Sequence, residues 1–292
     1  MKKNRVGEKS ISNEGYDMEI IEYFGWDNSN ILFEDGTVKK GVHYSHFKSG
    51  CVKKPVERIG EIFTTNQGYK IEIINYRSNI DCDIKFEDSL ILKNRHYRNL
   101  ISGSISHPFH KNVLNIGYKG IGCYDSTDKK HYQKWMSMLK RCYSKNNNEK
   151  SKSYKTIEVC EEWHNFQNFA QWFEENYIEG WELDKDLLSF DSKIYSPTSC
   201  CFLPNEINIF LKRSGNNHSS NKGVYPIRNG YKAIIQKYGK QIYLGFHNSL
   251  EKARKAYLNE KNKHKMELLE KYKDKLPDRT YNAILKFNVD TI

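Results

Sequence analysis

An α+β, multidomain architecture is expected from three features of this 292-residue sequence. Two β-rich stretches near the start repeat one another. A middle segment alternates amphipathic helices with short strand-like runs, and the last third reads as three strands followed by a helix. The composition sets outer bounds. Mean hydropathy is −0.80 and 38% of residues are apolar, with no run long enough to span a bilayer. Aromatic residues make up 13%, too many for a disordered chain. The opening MKKNRVGEKS has no apolar core and reads as no secretory signal. Seven irregularly spaced cysteines suit reduced thiols in a cytoplasm.

The repeats align at an offset of 53, Gly15-Tyr16 on Gly68-Tyr69. They share GY-x-x-EII-x-Y, then F-E-D, then Tyr44 and Tyr97, Gly50 and Gly103, and a closing Pro55 and Pro108. MEIIEY and KIEIINY are strand-like, and ILFEDG reads as a strand entering an Asp-Gly turn. Each copy is expected to be a small curled sheet, too small to be stable alone and therefore paired. The layout resembles repeats of phage and mobile-element proteins that precede HNH-type nuclease modules. That resemblance implies docking to nucleic acid or to a host protein, with Lys39, Lys40, Arg95 and Arg98 as contacts; spacer or oligomerisation modules are the alternative.

In the middle, HYQKWMSMLKRCY carries Trp135, Met138, Leu139 and Cys142 on one helical stripe. TIEVC reads as a strand. EEWHNFQNFAQWFEENY is a second helix with Trp163, Phe166, Phe169, Ala170 and Phe173 on one face, and a third helix opens at Pro204. W-x-x-ML-x-RCY, VCEEWHNFQNFAQWF, LDKDLL and YSP-x-x-C together resemble an HNH-like module of phage and mobile-element endonucleases. The resemblance implies a ββα fold in which a strand-end His is the general base, and an adjacent Asp with a His or Asn on the helix holds one Mg²⁺ or Mn²⁺ ion. Carried over, Asp184, Asp186 and Asn208 (or Asn205) are the metal ligands, and Asp184, Lys185 and His164 the catalytic candidates. Two positions depart from that pattern. Lys185 stands in the base slot, and an ordinary lysine with a pKa of about 10.4 is a poor base near neutrality. Ser199 stands where the motif has Asn. Cys142, Cys160 and Cys200 with His164 have the ligand types of a zinc site, but no C-x-x-C pair exists, so buried thiols are the expected reading and zinc is unlikely.

The segment NKGVYPIRNGYKAIIQKYGKQIYLGFHNSLEKARKAY gives strands at residues 223–227, 231–237 and 240–246 and a helix capped by Asn248 or Ser249. Alternation turns Ala233 and Ile235 toward the helix and Lys232, Ile234 and Gln236 outward, with Gln241 and Tyr243 sharing a face and Lys240 at its edge. GVY, YKAII and YLGFHNSLEKARKAY resemble the Apetala-two-type domain of ethylene-response factors and phage homing endonucleases. Such domains lay the sheet in the DNA major groove. Arg228, Lys232, Gln236, Lys240, Gln241 and Tyr243 are then the DNA contacts, since Gln pairs with adenine and Lys with guanine or phosphate.

Charge agrees with that placement. Leu211–Ile292 holds 18 basic and 7 acidic residues, which accounts for the whole net charge of +11. Residues 111–160 are basic and 161–210 acidic, a basic surface beside an acidic pocket. The expected order is an arm over 1–14, repeats over 15–57 and 58–110, the HNH-like module over 111–212, a linker over 213–220 and the DNA-binding domain with its helical tail over 221–292. The leading function is sequence-preferring binding of double-stranded DNA in a bacterial host cytoplasm, with metal-dependent, homing-type cleavage at a degenerate site as an open extension. A non-cleaving DNA-binding regulator, and a phage interaction protein that blocks a host factor through the repeats, are the alternatives. No membrane role is expected.

Overall fold

The computed structural model describes residues 4–127, 129–144, 156–189, 192–212 and 222–291; the expected linker over 213–220 lies outside them. The fold is α+β, and the chain divides into two compact units, Met1–His107 and Pro108–Ile292. No helix among the described residues is long and apolar enough to cross a membrane.

The first unit holds the two repeats. β1 (Lys9–Ile11), β2 (Asp17–Gly25), β3 (Asn28–Phe33) and β4 (Val38–Val42) form an antiparallel sheet in chain order, closed by α1 (Tyr44–Lys48). β5 (Ile62–Thr64), β6 (Lys70–Ser78), β7 (Asp81–Phe86), β8 (Ile91–Arg95) and α2 (Tyr97–Ile101) repeat that order. Each copy has its own core: Met18, Ile20, Ile31, Phe33 and Phe47 in one, Ile71, Ile73, Ile84, Phe86 and Leu100 in the other. The shared glycines have a steric cause. Gly50 has φ +71, and an added Cβ would lie 2.5 Å from Asn13 Oδ1 and 2.9 Å from the Ile11 carbonyl. Gly103 has φ +65 and meets the equivalent Asn66 and Thr64 atoms at 2.7 and 3.1 Å.

The expected arm over 1–14 is corrected by these contacts. β1 pairs with β2, and Arg5 donates to Glu8 at 3.2 Å while its guanidinium lies 3.9 Å from the Tyr44 ring centroid. Arg58, Glu61 and Tyr97 repeat the cluster at 3.1 and 4.1 Å. The repeat therefore begins at R-x-G-E, ahead of Gly15.

The second unit is built on one large core. α3 (Lys129–Tyr143) packs on α4 (Phe166–Asn176), burying Trp135, Met138 and Leu139 against Phe166, Phe169 and Phe173. Asn165 caps α4 by accepting from the Gln167 N–H at 3.0 Å. β9 (Glu158–Val159) pairs in parallel with β11 (Ile194–Tyr195), and β10 (Glu182–Asp184) pairs antiparallel with β12 (Cys201–Leu203). α5 (Asn205–Leu211) follows β12, which gives the order strand, strand, helix. Beyond it, β13 (Val224–Ile227), β14 (Gly230–Lys237) and β15 (Lys240–His247) form an antiparallel sheet against α6 (Leu250–Tyr272). Ser249 caps α6 through the Lys252 N–H at 3.3 Å. The β13–β14 turn falls on Arg228-Asn229, so β14 starts at Gly230, one residue ahead of the expected 231.

The tail does not belong to the sheet alone. The first half of α6 packs Ala253 and Tyr257 on Val224, Ala233 and Ile235. Its second half, the turn after it and α7 (Asp278–Lys286) deliver Leu268, Leu269, Leu276 and Ile284 to the core that holds Trp135 and Trp163. Arg279 donates to the Pro197, Thr198 and Cys200 carbonyls at 3.0–3.2 Å, tying the tail to the turn before β12. Residues 221–292 are thus not a separable domain.

Candidate functional site

Two surfaces of the second unit carry the residues singled out by the sequence. The first is a cleft of about 550 Å³ at the end of β10. Asp184, Lys185, Asp186 and Asn208 all line it, joined by Arg141 from α3, Tyr195 from β11 and Lys212 after α5. The β10–β12 pairing, Asp184 opposite Cys201, sets the strand end against α5, so Asn208 on the second turn of α5 faces residues about 23 positions earlier. Arg141 and Lys212 were not singled out by the sequence reading, although R-C-Y was already part of the motif that placed α3.

Asp184, Lys185 and Asp186 already have partners. Asp184 Oδ1 accepts the backbone N–H groups of Asp186 and Leu187 at 3.0 and 2.9 Å, so the carboxylate folds the turn that ends β10. Burial pushes its pKa above the usual carboxylate range, and neighbouring Asp186 adds to the rise, while the two N–H bonds and Lys185 oppose it. Lys185 is buried, donates to the Asp186 carboxylate and reaches the Ser192 carbonyl at 3.4 Å. As placed, these residues fit a divalent ion poorly: one carboxylate is engaged by backbone donors and the other by an ammonium. Among the described residues no group of three His, Cys, Asp or Glu side chains converges as metal ligands would.

His164 is not brought to this cleft. Its Nε2 bonds the Val159 carbonyl at 3.0 Å and its ring packs edge-on to Tyr143. Ser199 is buried and donates to the Ile194 carbonyl at 2.6 Å, a turn-forming role. The cysteines are thiols held by burial: Cys142 is pushed up to about 11 and Cys200 to about 12, and Cys160 is also raised.

The second surface is the outer face of the β13–β15 sheet. Ala233 and Ile235 turn to α6, and Lys232, Ile234 and Gln236 turn away, as alternation requires. Gln236 pairs with Gln241 and Ile234 with Tyr243, which sets both glutamines and Tyr243 on one face. Tyr243 is 61% exposed, Phe246 52% and Tyr225 49%. The amine of Lys232 lies 5.6 Å from the Tyr225 ring centroid, and Arg228 is exposed in the adjoining turn. Lys240 pairs with Lys237, so it stands at the hairpin tip on the helix side rather than among the outward residues. Phe246 was hidden from strict alternation by a bulge. The register passes from Ile234–Tyr243 to Ala233–Gly245, Leu244 is extra, and Phe246 thereby joins Lys232 on the outer face. The hairpin tip uses Tyr238 at φ +51 and Gly239 at φ +76, the left-handed pair that a tight two-residue turn needs.

No family model, curated protein or solved structure matches the chain.

Proposed function

We propose that this protein binds double-stranded DNA through the outer face of the β13–β15 sheet and does so without cutting it. One observation carries the reading: the run of chain that forms the sheet, residues 222–247, holds five basic and no acidic residues, is backed by a helix, and presents Lys232, Gln236, Gln241, Tyr243, Tyr225 and Phe246 on its open face. Basic and amide side chains supply phosphate and base-edge contacts, and the sheet is the right shape for a groove. The ββα cleft then serves as a second hold on the backbone through Arg141 and Lys212, with Lys185 and Asp184 as its internal framework.

Fluorescence anisotropy of the full chain with labelled duplex tests the binding. Affinity is expected to fall steeply with salt, because released counterions drive it. Absent binding at low salt, or a flat salt response, rejects the proposal. Incubation with supercoiled plasmid plus Mg²⁺ or Mn²⁺ tests the second half. Intact plasmid is expected; nicking that disappears in Asp184→Ala and with chelator restores the homing-type endonuclease reading.

The exposed rings favour one rival within nucleic-acid binding, since Tyr225, Tyr243 and Phe246 also suit stacking of unpaired bases. Tighter binding to single strands than to duplex in the same assay would select it. For the first unit, exposed Phe24 and Trp26 beside the β2–β3 turn favour docking to a protein partner.

A further inference from the structure

A cavity of about 480 Å³ lies between α5, α6 and the edge of β14 left open ahead of the start of β13. Its chemistry is unusual for a helix-packing interface. Lys261 and His264 occupy α6 between the buried Tyr257 and Leu268, where apolar side chains would pack at no electrostatic penalty. Lys261 is 7% exposed. Its ammonium donates to the Phe210 carbonyl at 3.2 Å and stands 4.0 Å from the Phe210 ring centroid. Lys222, on the same cavity, donates to the Lys212 carbonyl at 3.2 Å. Among the described residues neither ammonium has a carboxylate within ion-pair range. The one acid that lines the cavity, Glu206, is held by Lys271 and Tyr272. His264 is 6% exposed and packs edge-to-face on Phe210 and Tyr238, yet neither of its ring nitrogens has a hydrogen-bond partner.

One buried and one half-buried ammonium on the same cavity, with an unsatisfied imidazole, call for a ligand that is anionic and rich in acceptor oxygens. A phosphate supplies both, with enough oxygens to meet three donors at once. The remaining walls, Tyr238 and Tyr257 with Phe210, are aromatic and suit a flat ring. We propose that this cavity is a nucleotide-binding site, with Lys261 and Lys222 on the phosphate, His264 bonding to it, and the aromatic walls around the base. The cavity borders the outer sheet face, sharing Tyr225, Ile234 and Gln236 with it, but the groups assigned to the phosphate, Lys222, Lys261 and His264, lie outside the set assigned to DNA.

Protonation adds a signature. Burial, with Lys222 nearby, depresses Lys261 to about 8, so its charge is partly lost in mildly alkaline solution. The other charged groups facing the site are Lys222, Glu206, Lys237 and Glu267, and the last three are paired with one another or with α6. A phosphate favours charged Lys261, so affinity should rise as pH falls from 9 to 7.

Isothermal titration of the full chain with adenosine monophosphate, inorganic phosphate and adenosine tests this. Saturable binding is expected, tightest for the nucleotide and tighter at pH 7 than at pH 9. Lys261→Met and Lys222→Met should each weaken it at least tenfold. Lys261→Met should also keep or raise Tm, because it removes an unpaired ammonium from the interior. If that variant fails to fold, the less buried Lys222→Met decides alone. No saturable binding of nucleotide or phosphate at millimolar concentration, or nucleotide binding unchanged in Lys222→Met, overturns the proposal. Adding a saturating short duplex separates the sources: displaced nucleotide marks the site as one that takes nucleotides of a strand, and undisplaced nucleotide marks it as one for a free ligand, both in support of the site.

Discussion

The cleft at the end of β10 and the outer face of the β13–β15 sheet are built in opposite ways. The cleft draws on α3, β10, β11, α5 and the segment after α7, and its charged groups face one another: Lys185 with Asp186, Asp184 with its own turn. The sheet face comes from a single run of chain, and its glutamines and aromatic rings stay open to solvent. Acids that already have donors leave little to offer a cation. A face whose polar groups point into water has everything still to offer. That contrast is why the sheet, rather than the cleft, is assigned the reading of DNA.

The largest expected effect tests that assignment directly. Replacing Arg228 and Lys232 together with Ala should weaken duplex binding by about 100-fold at low salt and lower the salt slope by about two, roughly one phosphate contact each. The matched cleft pair, Arg141→Ala with Lys212→Ala, should lose less, about tenfold. Both are to be made in the full chain, because the tail of α6 is part of the central core and a C-terminal fragment would expose it. If the cleft pair loses more than the sheet pair, the roles of the two surfaces are reversed.

A smaller effect sharpens the account of the cleft. Asp184→Ala removes the acceptor for two backbone N–H groups and should lower stability by about 1–2 kcal/mol in chemical denaturation, in the range of a lost cap. Asp184→Asn keeps an acceptor oxygen and should stay within about 0.5 kcal/mol of the parent at acidic pH. Equal losses in both variants would mean that charge, not turn geometry, is what the position supplies.

Much of this was legible in the sequence, and the misses have physical causes. The sheet-and-helix pattern, the inward Ala233 and Ile235 and the pairing of Gln236 with Gln241 follow from period two and turn chemistry, which are local. Asp184, Lys185, Asp186 and Asn208 meet in one cleft because a short β10–β12 pair followed by a helix leaves few alternatives. The repeats were visible from their aromatic and glycine landmarks, but their start was placed too late. RVGE at Arg5 and RIGE at Arg58 share the same offset, but they lie ahead of the Gly-Tyr landmark and carry no aromatic residue of their own. Non-local features stayed hidden. His164 lies near the motif in sequence, yet its strand-turn setting directs it to Val159. The tail reads as an ordinary amphipathic helix whose partner only the fold reveals, and a single extra residue, Leu244, reassigns Phe246.

The smallest expected effect concerns pH. Burial raises the Asp184 carboxyl above its unfolded value, with Asp186 pushing the same way and Lys185 opposing; Cys200 and Cys201 nearby remain protonated. A native state that holds this proton more tightly than the unfolded chain loses stability as pH rises from the unfolded pKa through the folded one, then levels off. Asp83 in β7 contributes the opposite slope. Arg77 holds its carboxylate below the usual range, so its contribution is present above the unfolded pKa and is lost as pH falls. A single denaturation profile mixes the two. The difference between the parent and Asp184→Asn isolates the cleft, because Asp83 and every other shifted acid is common to both proteins and cancels. The parent should therefore lose ground to Asp184→Asn as pH rises above the unfolded carboxyl pKa of about 3.9, with the difference levelling off once the folded carboxyl has ionised. A difference that is flat over this range, or that runs the other way, would show that Asp184 is better solvated or more strongly paired than its place at the end of β10 implies. The cleft would then have a carboxylate to offer a ligand after all, and its contrast with the sheet face would narrow.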